Sequence, residues 1–463
     1  MPVSQSSPSP SIDVSCLSAR VVEALADLIA VCRALPASVP SAFEEAELRV
    51  RESVNALGCE VLGAWAEGLD DGALRVEWDD QSWFRVPATP KTIMTTLGPV
   101  TYKRARYRHG AHQTSLVPVD ESLGLVNDYL TRPAARLGLM MMGYSTAREA
   151  EAFFSEMGAM TPSASTLQRL ACSLHERWES LGPQAMDAVR DREDIPPEAV
   201  SASVSLDGVM VALRAGEDGR NEACWREAAC GTVAFHDRDG ERLKTLYFAR
   251  MPESGKLALK AQLASEVAHI RQARPDIAIT AVADGAPDNW TFLERLLPEA
   301  EAVDFWHACE HLRTASDHAV DPRWFETYRH VLRHDPQGVV KVIRALRYLR
   351  DKAAGRNRAA RAAIERELAF FRKHRTRMRY RDLSDRSLAI GSGVVEAANK
   401  TLVTQRLKRS GMRWGLQGGQ AVLTVRALIK SGRFDRAWDT LMGDHDTPAN
   451  DNRQPETSDS RAA

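Results

Sequence analysis

The sequence lacks the features by which secreted, membrane-spanning and cysteine-rich proteins are usually recognised. Seven cysteines are scattered through 463 residues with no CxxC pair, which argues against a disulfide framework and a cysteine zinc cluster. No apolar run approaches the roughly 20 residues that span a bilayer. The first residues contain neither a basic segment nor an apolar core, so we expect no secretory signal and a cytoplasmic location without a membrane partner.

Net charge is also nearly absent, at −1, but the charges are segregated along the chain. Residues 1–100 hold 14 acidic and 7 basic side chains, whereas residues 341–381 hold 15 basic and 3 acidic ones. Residues 397–434 hold 8 basic residues and no acidic one. A strongly basic C-terminal third in a near-neutral protein indicates a polyanionic partner on one face.

Length and periodicity predict several domains, because 463 residues exceed the size of one ordinary domain. From residue 200 the pattern predicts three strands, a helix, a strand, a helix and a strand, which is the order of an RNase H-like α/β core. The predicted segments are a disordered stretch at 1–12, helices at 13–70, a small β-containing element at 71–130, a helix-turn-helix-like region at 131–198, the first part of the core at 199–307, a basic all-helical insertion at 308–385, a helix with Glu396 and C-terminal helices at 386–442, and a disordered tail at 443–463.

One part of the mostly helical N-terminal region has the spacing of a DNA-binding helix-turn-helix. A helix that includes Ala147–Met157 is followed by a Gly- and Pro-containing break, and Ser163 or Ser165 then caps a second helix. That second helix carries Gln168 and Arg169 and would enter a major groove. An ordinary helical hairpin explains the same spacing equally well.

The local sequence around three carboxylates favours a catalytic role for them. Asp207 and Asp284 each end a predicted strand and precede a glycine, and Glu396 lies about one turn into a helix capped by Ser392. Converging carboxylates suit Mg²⁺ or Mn²⁺, and two such ions about 4 Å apart can promote phosphoryl displacement. The alternative is that both aspartates are turn residues and Glu396 is a solvated helix residue.

The segment around His307 also matches the HxxEH pattern of zinc proteases, with His307 and His311 on one helix face. No third ligand is identifiable, and a peptidase has little use for so dense a basic tract. A structural role for His311 is therefore the favoured interpretation.

Several blocks together resemble the insertion-sequence transposases of the ISKra family, bacterial relatives of the Mutator-like DDE transposases. The resemblance covers roughly residues 123 to 438. Its most specific blocks, in chain order, are Val204–Gly208, Ala283–Ala286 with Asn289 and Trp290, Asp304–Leu312, and Gly391–Lys400 continuing into Arg406–Trp414.

The resemblance implies a catalytic triad of Asp207, Asp284 and Glu396 that binds two Mg²⁺ or Mn²⁺ ions. It further implies that Asp304 and His307 form a D-x-x-H element, with His307 near the scissile phosphate or flanking strand. The long interval between Asp284 and Glu396 would hold a helical insertion domain. Relatives often carry paired cysteines in the N-terminal sheet region where this chain has residues 107–112, so the resemblance does not extend to zinc there.

The activity implied is binding of an element's terminal inverted repeats, followed by strand cleavage and transfer to target DNA. Such enzymes usually act as dimers or larger assemblies on double-stranded DNA. We expect the basic residues after Glu396 to contact phosphates, and the alternative is a solvated basic helix. We expect two tryptophans to stack on an unpaired base, and the alternative is that they belong to the core. The residues concerned are Arg406, Lys408, Arg409, Arg413, Trp290 and Trp414.

Two other functional classes stay open at this point. One is a nuclease on the same core that cleaves DNA without strand transfer. The other is a DNA-binding regulator that uses only the helix-turn-helix region and is indifferent to chelation of metal ions.

Overall fold

The structure, a computed structural model, describes residues 17–34, 40–110, 115–217, 222–353 and 358–443. The disordered stretch predicted at 1–12 and the disordered tail predicted at 443–463, apart from Gly443, lie outside these ranges. The protein is mixed α/β and 56% helical, with a mixed five-stranded sheet. Contacts divide the chain into two compact units after Ser173, so the predicted 131–198 region belongs partly to each. Among the described helices, none has the length and apolar character needed to cross a membrane.

The first unit combines helices with a three-stranded antiparallel sheet. Its elements are α1 (Ala19–Arg33), α2 (Pro40–Gly68), β1 (Arg75–Trp78), β2 (Gln81–Met94), β3 (Pro99–Arg108), α3 (Pro118–Leu123), α4 (Arg132–Tyr144), α5 (Ala147–Met157) and α6 (Ala164–Leu181), the last of which continues into the second unit. The sheet order is β1-β2-β3. Ala66 of α2 packs with Ile93, Val100 and Tyr102 of the sheet, so alternation along the strands buries one sheet face against a helix.

Helices α5 and α6 have well-defined ends. A capping box between Thr146 and Glu149 begins α5, and Gly158 ends it with a left-handed φ of 65°. The Ser163 hydroxyl accepts a hydrogen bond from the Thr166 amide at 3.2 Å, so Ser163 is the residue that caps α6.

The second unit is built on the five-stranded sheet, whose order is β6-β5-β4-β7-β8. Strands β6, β5 and β4 are antiparallel neighbours, and β4, β7 and β8 run parallel. The elements in this part of the chain are α7 (Pro183–Arg190), β4 (Ser201–Ala212), β5 (Trp225–His236), β6 (Arg242–Arg250), α8 (Leu257–Ala273), β7 (Ala278–Ala283), α9 (Pro287–Arg295) and β8 (Ala300–Val303). The predicted order of three strands, helix, strand, helix and strand is present.

Helices cover both faces of this sheet. On one face, a Cβ added at Gly231 of β5 would lie 2.7 Å from Leu263, so the glycine allows α8 to pack closely on the strand. Leu206, paired with Gly231, points to the same face, whereas the neighbouring Asp207 points to the opposite one. Consecutive residues are buried in the first half of β4 and the last part of β5, so both faces are covered there, which explains the near-continuous apolar strands.

A helical segment follows β8, and in its described residues it contains no strand. Its helices are α10 (Phe305–Ser316), α11 (Trp324–His334), α12 (Gly338–Ala353), α13 (Arg358–Lys373) and α14 (Tyr380–Asp385). Leu346, Ile364 and Phe371 are fully buried and belong to the same hydrophobic cluster as the sheet. The basic side chains of this segment therefore lie on helices whose other faces are apolar.

The chain then returns to the sheet through a helix that changes its winding. α15 (Gly393–Ala398) continues into a π-helical segment (Asn399–Thr404) and then α16 (Gln405–Leu407). The helix predicted to run through Glu396 toward Leu407 is present, with this irregularity in its middle. π-Helical turns are rare and often occur at functional sites. The last helices are α17 (Leu416–Lys430) and α18 (Phe434–Met442).

Candidate functional site

The register of the sheet aligns Asp207 with Asp284. Parallel pairing of β4 with β7 runs to Val204 and Ala281, and each aspartate lies three residues further along its own chain. The prediction that Asp284 follows a strand is confirmed. The prediction that Asp207 ends a strand is wrong, because β4 stays paired with β5 as far as Ala212.

A third aspartate occupies the same level of the sheet. Val303, the last residue of β8, pairs with Ala283 of β7, and Asp304 follows directly. The Asp304 amide donates a hydrogen bond to the Ala283 carbonyl at 2.8 Å, and its side chain is 1% exposed. Asp284 and Asp304 thus follow the carboxyl ends of β7 and β8, where ligands bind in open α/β sheets, and Asp207 lies level with them inside the longer strand β4.

Glu396 faces this edge from α15. Ser392 occupies the N-cap position but makes no capping bond with its hydroxyl. The hydroxyl instead donates to Asp304 Oδ2 at 2.8 Å and contacts Glu396 Oε1 at 3.4 Å. Glu396 is an exposed residue whose carboxyl is only partly desolvated by neighbouring protein atoms; this desolvation raises its pKa, and the carboxylates of Asp304 and Asp207 raise it further. The acids are therefore close enough to repel one another.

Two donors fix the orientation of the Asp207 carboxylate. Oδ2 accepts a hydrogen bond from Asn399 Nδ2 at 2.7 Å, and Oδ1 accepts from the Gly208 amide at 2.7 Å. Burial raises the pKa of Asp207, the Gly208 bond opposes this, and the Asp284 carboxylate adds to the rise. A carboxylate held with a raised pKa beside a second carboxylate is typical of a functional site.

The loop after β7 holds Asp284 with several local contacts. Oδ1 accepts from the Ala286 amide at 3.0 Å and from Asn289 Nδ2 at 3.3 Å. The indole of Trp290 donates to the Asp284 carbonyl at 2.6 Å. A Cβ on Gly285 would lie 2.7 Å from the Phe370 ring of α13, so only glycine lets this helix approach the loop.

Next to Gly285, burial lowers the pKa of His374 to about 4. The imidazole is 2% exposed, and its Nε2 is the second group that a Cβ on Gly285 would approach, at 3.5 Å. His374 is therefore neutral at physiological pH where the helical segment meets the Asp284 loop.

The two tryptophans predicted to stack on a base are not exposed to solvent as that role requires. Trp290 is 3% exposed and its ring lies under the Arg377 guanidinium at 4.1 Å, so its interpretation as a DNA contact is wrong and it belongs to the core. Trp414 is half-buried, and its indole donates to the Leu407 carbonyl at 3.0 Å. Among the exposed large side chains, Trp306 (54%) lies beside Gly391, which precedes α15.

The basic residues after Glu396 do not form one surface. Arg406 is 2% exposed and lies over the Trp414 ring at 5.1 Å, which contradicts its predicted contact with phosphate. Lys408, Arg409 and Arg413 are exposed, as a phosphate-binding role requires. Further along the same run, Arg426 and Arg433 are buried, so charge density in the sequence overstates the basic surface.

The histidines of the HxxEH pattern make contacts with glutamates. His307 Nδ1 lies 3.3 Å from Glu310 Oε2, and His311 Nδ1 lies 2.5 Å from Glu367 Oε2. His311 also stacks on Phe370 with ring centroids 3.6 Å apart. His307 remains partly exposed, with a side-chain exposure of 36%, on the same helix end that Asp304 caps.

The donor chemistry of the acids fits a hard divalent cation, because all the side chains are carboxylates and their mutual repulsion would be relieved by positive charge. Within the described residues, however, no group of three or more His, Cys, Asp or Glu side chains is close enough to hold an ion.

In the first unit, Gln168 and Arg169 lie on the exposed face of α6. Leu167 and Leu170 on the opposite face are fully buried, and a Cβ at Gly138 of α4 would lie 2.9 Å from Leu167. The helix therefore packs through its leucines and leaves the two polar residues accessible.

Two residues of the site, Asn399 and Asn289, were not predicted as site residues, and they donate to the two aspartates. Asp304 was predicted only as part of the D-x-x-H element, and the hydrogen bond that it accepts from Ser392 beside Glu396 was not predicted. Each lies within a few residues of a predicted acid or in the same sequence block. An amide or a small hydroxyl close to an acid in an otherwise apolar stretch is the signal that indicates them.

Comparison of the sequence with models of known protein families gives no match, and a search of curated proteins gives none either.

Proposed function

We propose that this protein is a DDE transposase with an RNase H-like core, which binds the terminal inverted repeats of an insertion sequence and catalyses DNA strand cleavage and strand transfer. The single observation that carries this proposal is the placement of Asp207 between two other acids, with Asp284 on one side and Glu396 on the other. The two aspartates are level on neighbouring parallel strands, and Glu396 and Asp207 are close enough for the carboxylate of one to raise the pKa of the other.

The sheet supports the RNase H-like part of the proposal. Three antiparallel strands continue into two parallel ones, in the order β6-β5-β4-β7-β8, with the acids on β4, after β7 and on a later helix. The helical segment between Asp284 and Glu396 occupies the place of the expected insertion, and Gly285 brings its helix α13 against the Asp284 loop.

The acids and the residues that hold them have separate roles in the proposed reaction. Asp207, Asp284 and Glu396 would hold two Mg²⁺ or Mn²⁺ ions, which supply an activated water and stabilise the leaving oxygen in phosphoryl displacement. Asn399 orients Asp207 through a bond of 2.7 Å, and Trp290 holds the Asp284 main chain. In strand transfer the released 3′-hydroxyl attacks a phosphodiester of the target DNA, loses its proton and forms a new phosphodiester, while the bond to the 3′-oxygen of the target strand breaks and that oxygen leaves as a hydroxyl. One phosphodiester is exchanged for another, so no covalent protein–DNA intermediate is required.

DNA is bound by charge and by groove contacts. The exposed side chains of Lys408, Arg409 and Arg413 contact phosphates near the acids, and the same applies to exposed cations of α12 such as Arg344 and Arg347. Gln168 and Arg169 on α6 read base edges in the terminal repeat. We further propose that the protein acts as a dimer or larger assembly on DNA in the nucleoid, because two element ends must be joined in one event.

The test uses labelled duplexes spanning the DNA on either side of the gene, with Mg²⁺ or Mn²⁺. We expect the wild-type protein to cleave at an element end and to join that end to a target duplex. Asp207→Asn, Asp284→Asn and Glu396→Gln should each lose on the order of 10³-fold in cleavage rate while binding DNA normally. Asp239→Asn, in an exposed turn between β5 and β6, is the matched control and should cleave at the wild-type rate.

Other outcomes separate the alternatives. Cleavage without joining would favour a nuclease on the same core. Sequence-specific binding that is indifferent to EDTA and to all three substitutions would favour a helix-turn-helix regulator. Wild-type cleavage by any of the three variants would refute the triad.

A further inference from the structure

Asp304 is the point at which three elements of the second unit meet. Its Oδ1 accepts a hydrogen bond from the His307 amide at 2.6 Å and so caps α10. Its own amide donates to the Ala283 carbonyl, directly before Asp284. Its Oδ2 accepts two hydrogen bonds from Ser392, one from the amide and one from the hydroxyl, the latter at 2.8 Å.

Ser392, which is held by Asp304, also contacts the first turn of the helix that carries Glu396. The Ser392 carbonyl accepts the amides of Val395 at 2.9 Å and Glu396 at 3.2 Å, which forms the first turn of α15. The Ser392 hydroxyl also contacts Glu396 Oε1 at 3.4 Å. Glu396 itself is exposed, so its position depends on the start of its short helix rather than on burial of its side chain.

We propose that Asp304 and Ser392 form a positioning clamp that fixes the start of α15 and thereby sets the position of Glu396 relative to Asp207. The clamp is a property of the metal-free chain. Only its catalytic consequence rests on the proposed function.

The clamp requires a carboxylate at residue 304. Three donors converge on its two oxygens, namely the His307 amide and the amide and hydroxyl of Ser392. An asparagine has a single oxygen, so its NH₂ group would face either the His307 amide or the donors of Ser392. Because Asp304 is 1% exposed, water does not replace the lost acceptor.

The first measurement is hydrogen exchange of residues 393–398 in the full-length, metal-free protein. Asp304→Asn and Ser392→Ala should each speed exchange of these amides by about tenfold, as expected when a bond to a buried charge is lost. Ser431→Ala is the matched control: Ser431 is also buried, and its hydroxyl accepts the Tyr247 amide at 2.8 Å in another part of the unit. It should leave exchange at 393–398 unchanged.

The second measurement is the single-turnover cleavage rate on the flanking duplexes. Ser392→Ala should reduce this rate by about tenfold without changing DNA affinity, because one bond of the clamp is lost. Ser392→Thr keeps the hydroxyl and should restore at least half of the rate. In the Asp304→Asn background, Ser392→Ala should add no further loss, since both residues act through one contact.

Unchanged exchange at residues 393–398 in Ser392→Ala would overturn the clamp even if Asp304→Asn failed to fold. Normal cleavage by Ser392→Ala, with the triad variants inactive, would also overturn it. A wild-type protein that cleaves no DNA would refute the proposed function instead, and the exchange comparison would then decide on the clamp alone.

Discussion

Asn399 and Asp207 are joined by a hydrogen bond of 2.7 Å between the amide nitrogen and a carboxylate oxygen, although 192 residues separate them in the chain. Asn399 begins the π-helical segment after α15 and is 8% exposed. This hydrogen bond therefore links the helix that carries Glu396 to the strand that carries Asp207. The bond lies at the point where the helix changes from α-helical to π-helical winding. Asn399 thus places its amide against the sheet at the start of the irregular turn.

Asn399→Ala should lower the DNA cleavage rate by about tenfold, because Asp207 loses the donor that orients it. Asn399→Asp should be more damaging, since it places another carboxylate beside an Asp207 whose pKa is already raised by burial. Single-turnover cleavage at fixed DNA occupancy measures both effects, and DNA affinity should stay constant. Equal rates for the wild type and Asn399→Asp would show that the bond has no role in catalysis.

Divalent cations should stabilise the free protein. Mg²⁺ or Mn²⁺ at a hundredfold excess over its dissociation constant should add about 2.7 kcal/mol to the free energy of unfolding, because it binds only the folded acids. The stabilisation by the cation should depend on pH, because Asp207 and Glu396 must lose their protons to bind it and their pKa values are raised. The stabilisation should therefore be small at low pH and grow as pH rises through the folded pKa values of these groups.

Thermal unfolding with the cation and with EDTA measures this difference. Asp207→Asn should lose most of the cation effect, whereas Asp239→Asn should keep it. A cation-induced shift of equal size in Asp207→Asn would show that the ions bind elsewhere.

The order of strands and helices in the core could be predicted because local patterns determine it. Short apolar runs bounded by turn residues indicate the strands, and Asp284 follows β7 as its sequence context predicts. The error at Asp207 has a physical cause. Gly208 resembles a strand end, but it lies inside β4, where a Cβ would come within 1.7 Å of the Glu227 carboxylate. The glycine serves a close approach within the sheet.

The burial of charged residues and tryptophans could not be predicted, because it depends on partners distant in sequence. Arg433 belongs to a run without acidic neighbours, yet it pairs with Glu266, which lies 167 residues away. Arg406 is covered when the chain folds back and places Trp414 against Leu407. A basic run in sequence therefore contains both surface and core residues, and only tertiary structure distinguishes them.

Because the basic run contains both exposed and buried arginines, substitutions at the two kinds of position should have different effects. Arg413→Ala, at an exposed position, should weaken DNA binding and reduce the slope of log affinity against log salt by about 0.9, the value for one phosphate contact. Arg406→Ala, at a buried position, should instead lower the free energy of unfolding by about 1–3 kcal/mol. Fluorescence anisotropy over a range of salt concentrations and chemical denaturation measure the two effects. A changed salt slope in Arg406→Ala with unchanged stability would contradict this assignment.

A buried ionic cluster in the second unit predicts how stability depends on pH. Glu266 is 1% exposed and accepts hydrogen bonds from Arg433 at 2.7 and 3.0 Å and from Arg190 at 3.0 Å. Burial by itself would raise the pKa of Glu266, but the two guanidinium groups outweigh it and the pKa is lowered. A lowered folded pKa means that the stabilisation is complete above the unfolded value and is lost as pH falls through the folded one.

Glu266→Gln should therefore lower the free energy of unfolding at neutral pH by about 3–5 kcal/mol, because it leaves Arg433 and Arg190 buried with one fewer counter-charge. The same variant should show a weaker loss of stability in the acidic range than the wild type, since the group responsible no longer titrates. Urea denaturation at a series of pH values measures both effects. Asp276→Asn, which removes an exposed partner of Arg274, is the control and should follow the wild-type curve closely. Parallel acid limbs for Glu266→Gln and the wild type would mean that other carboxylates set the acid stability of this unit.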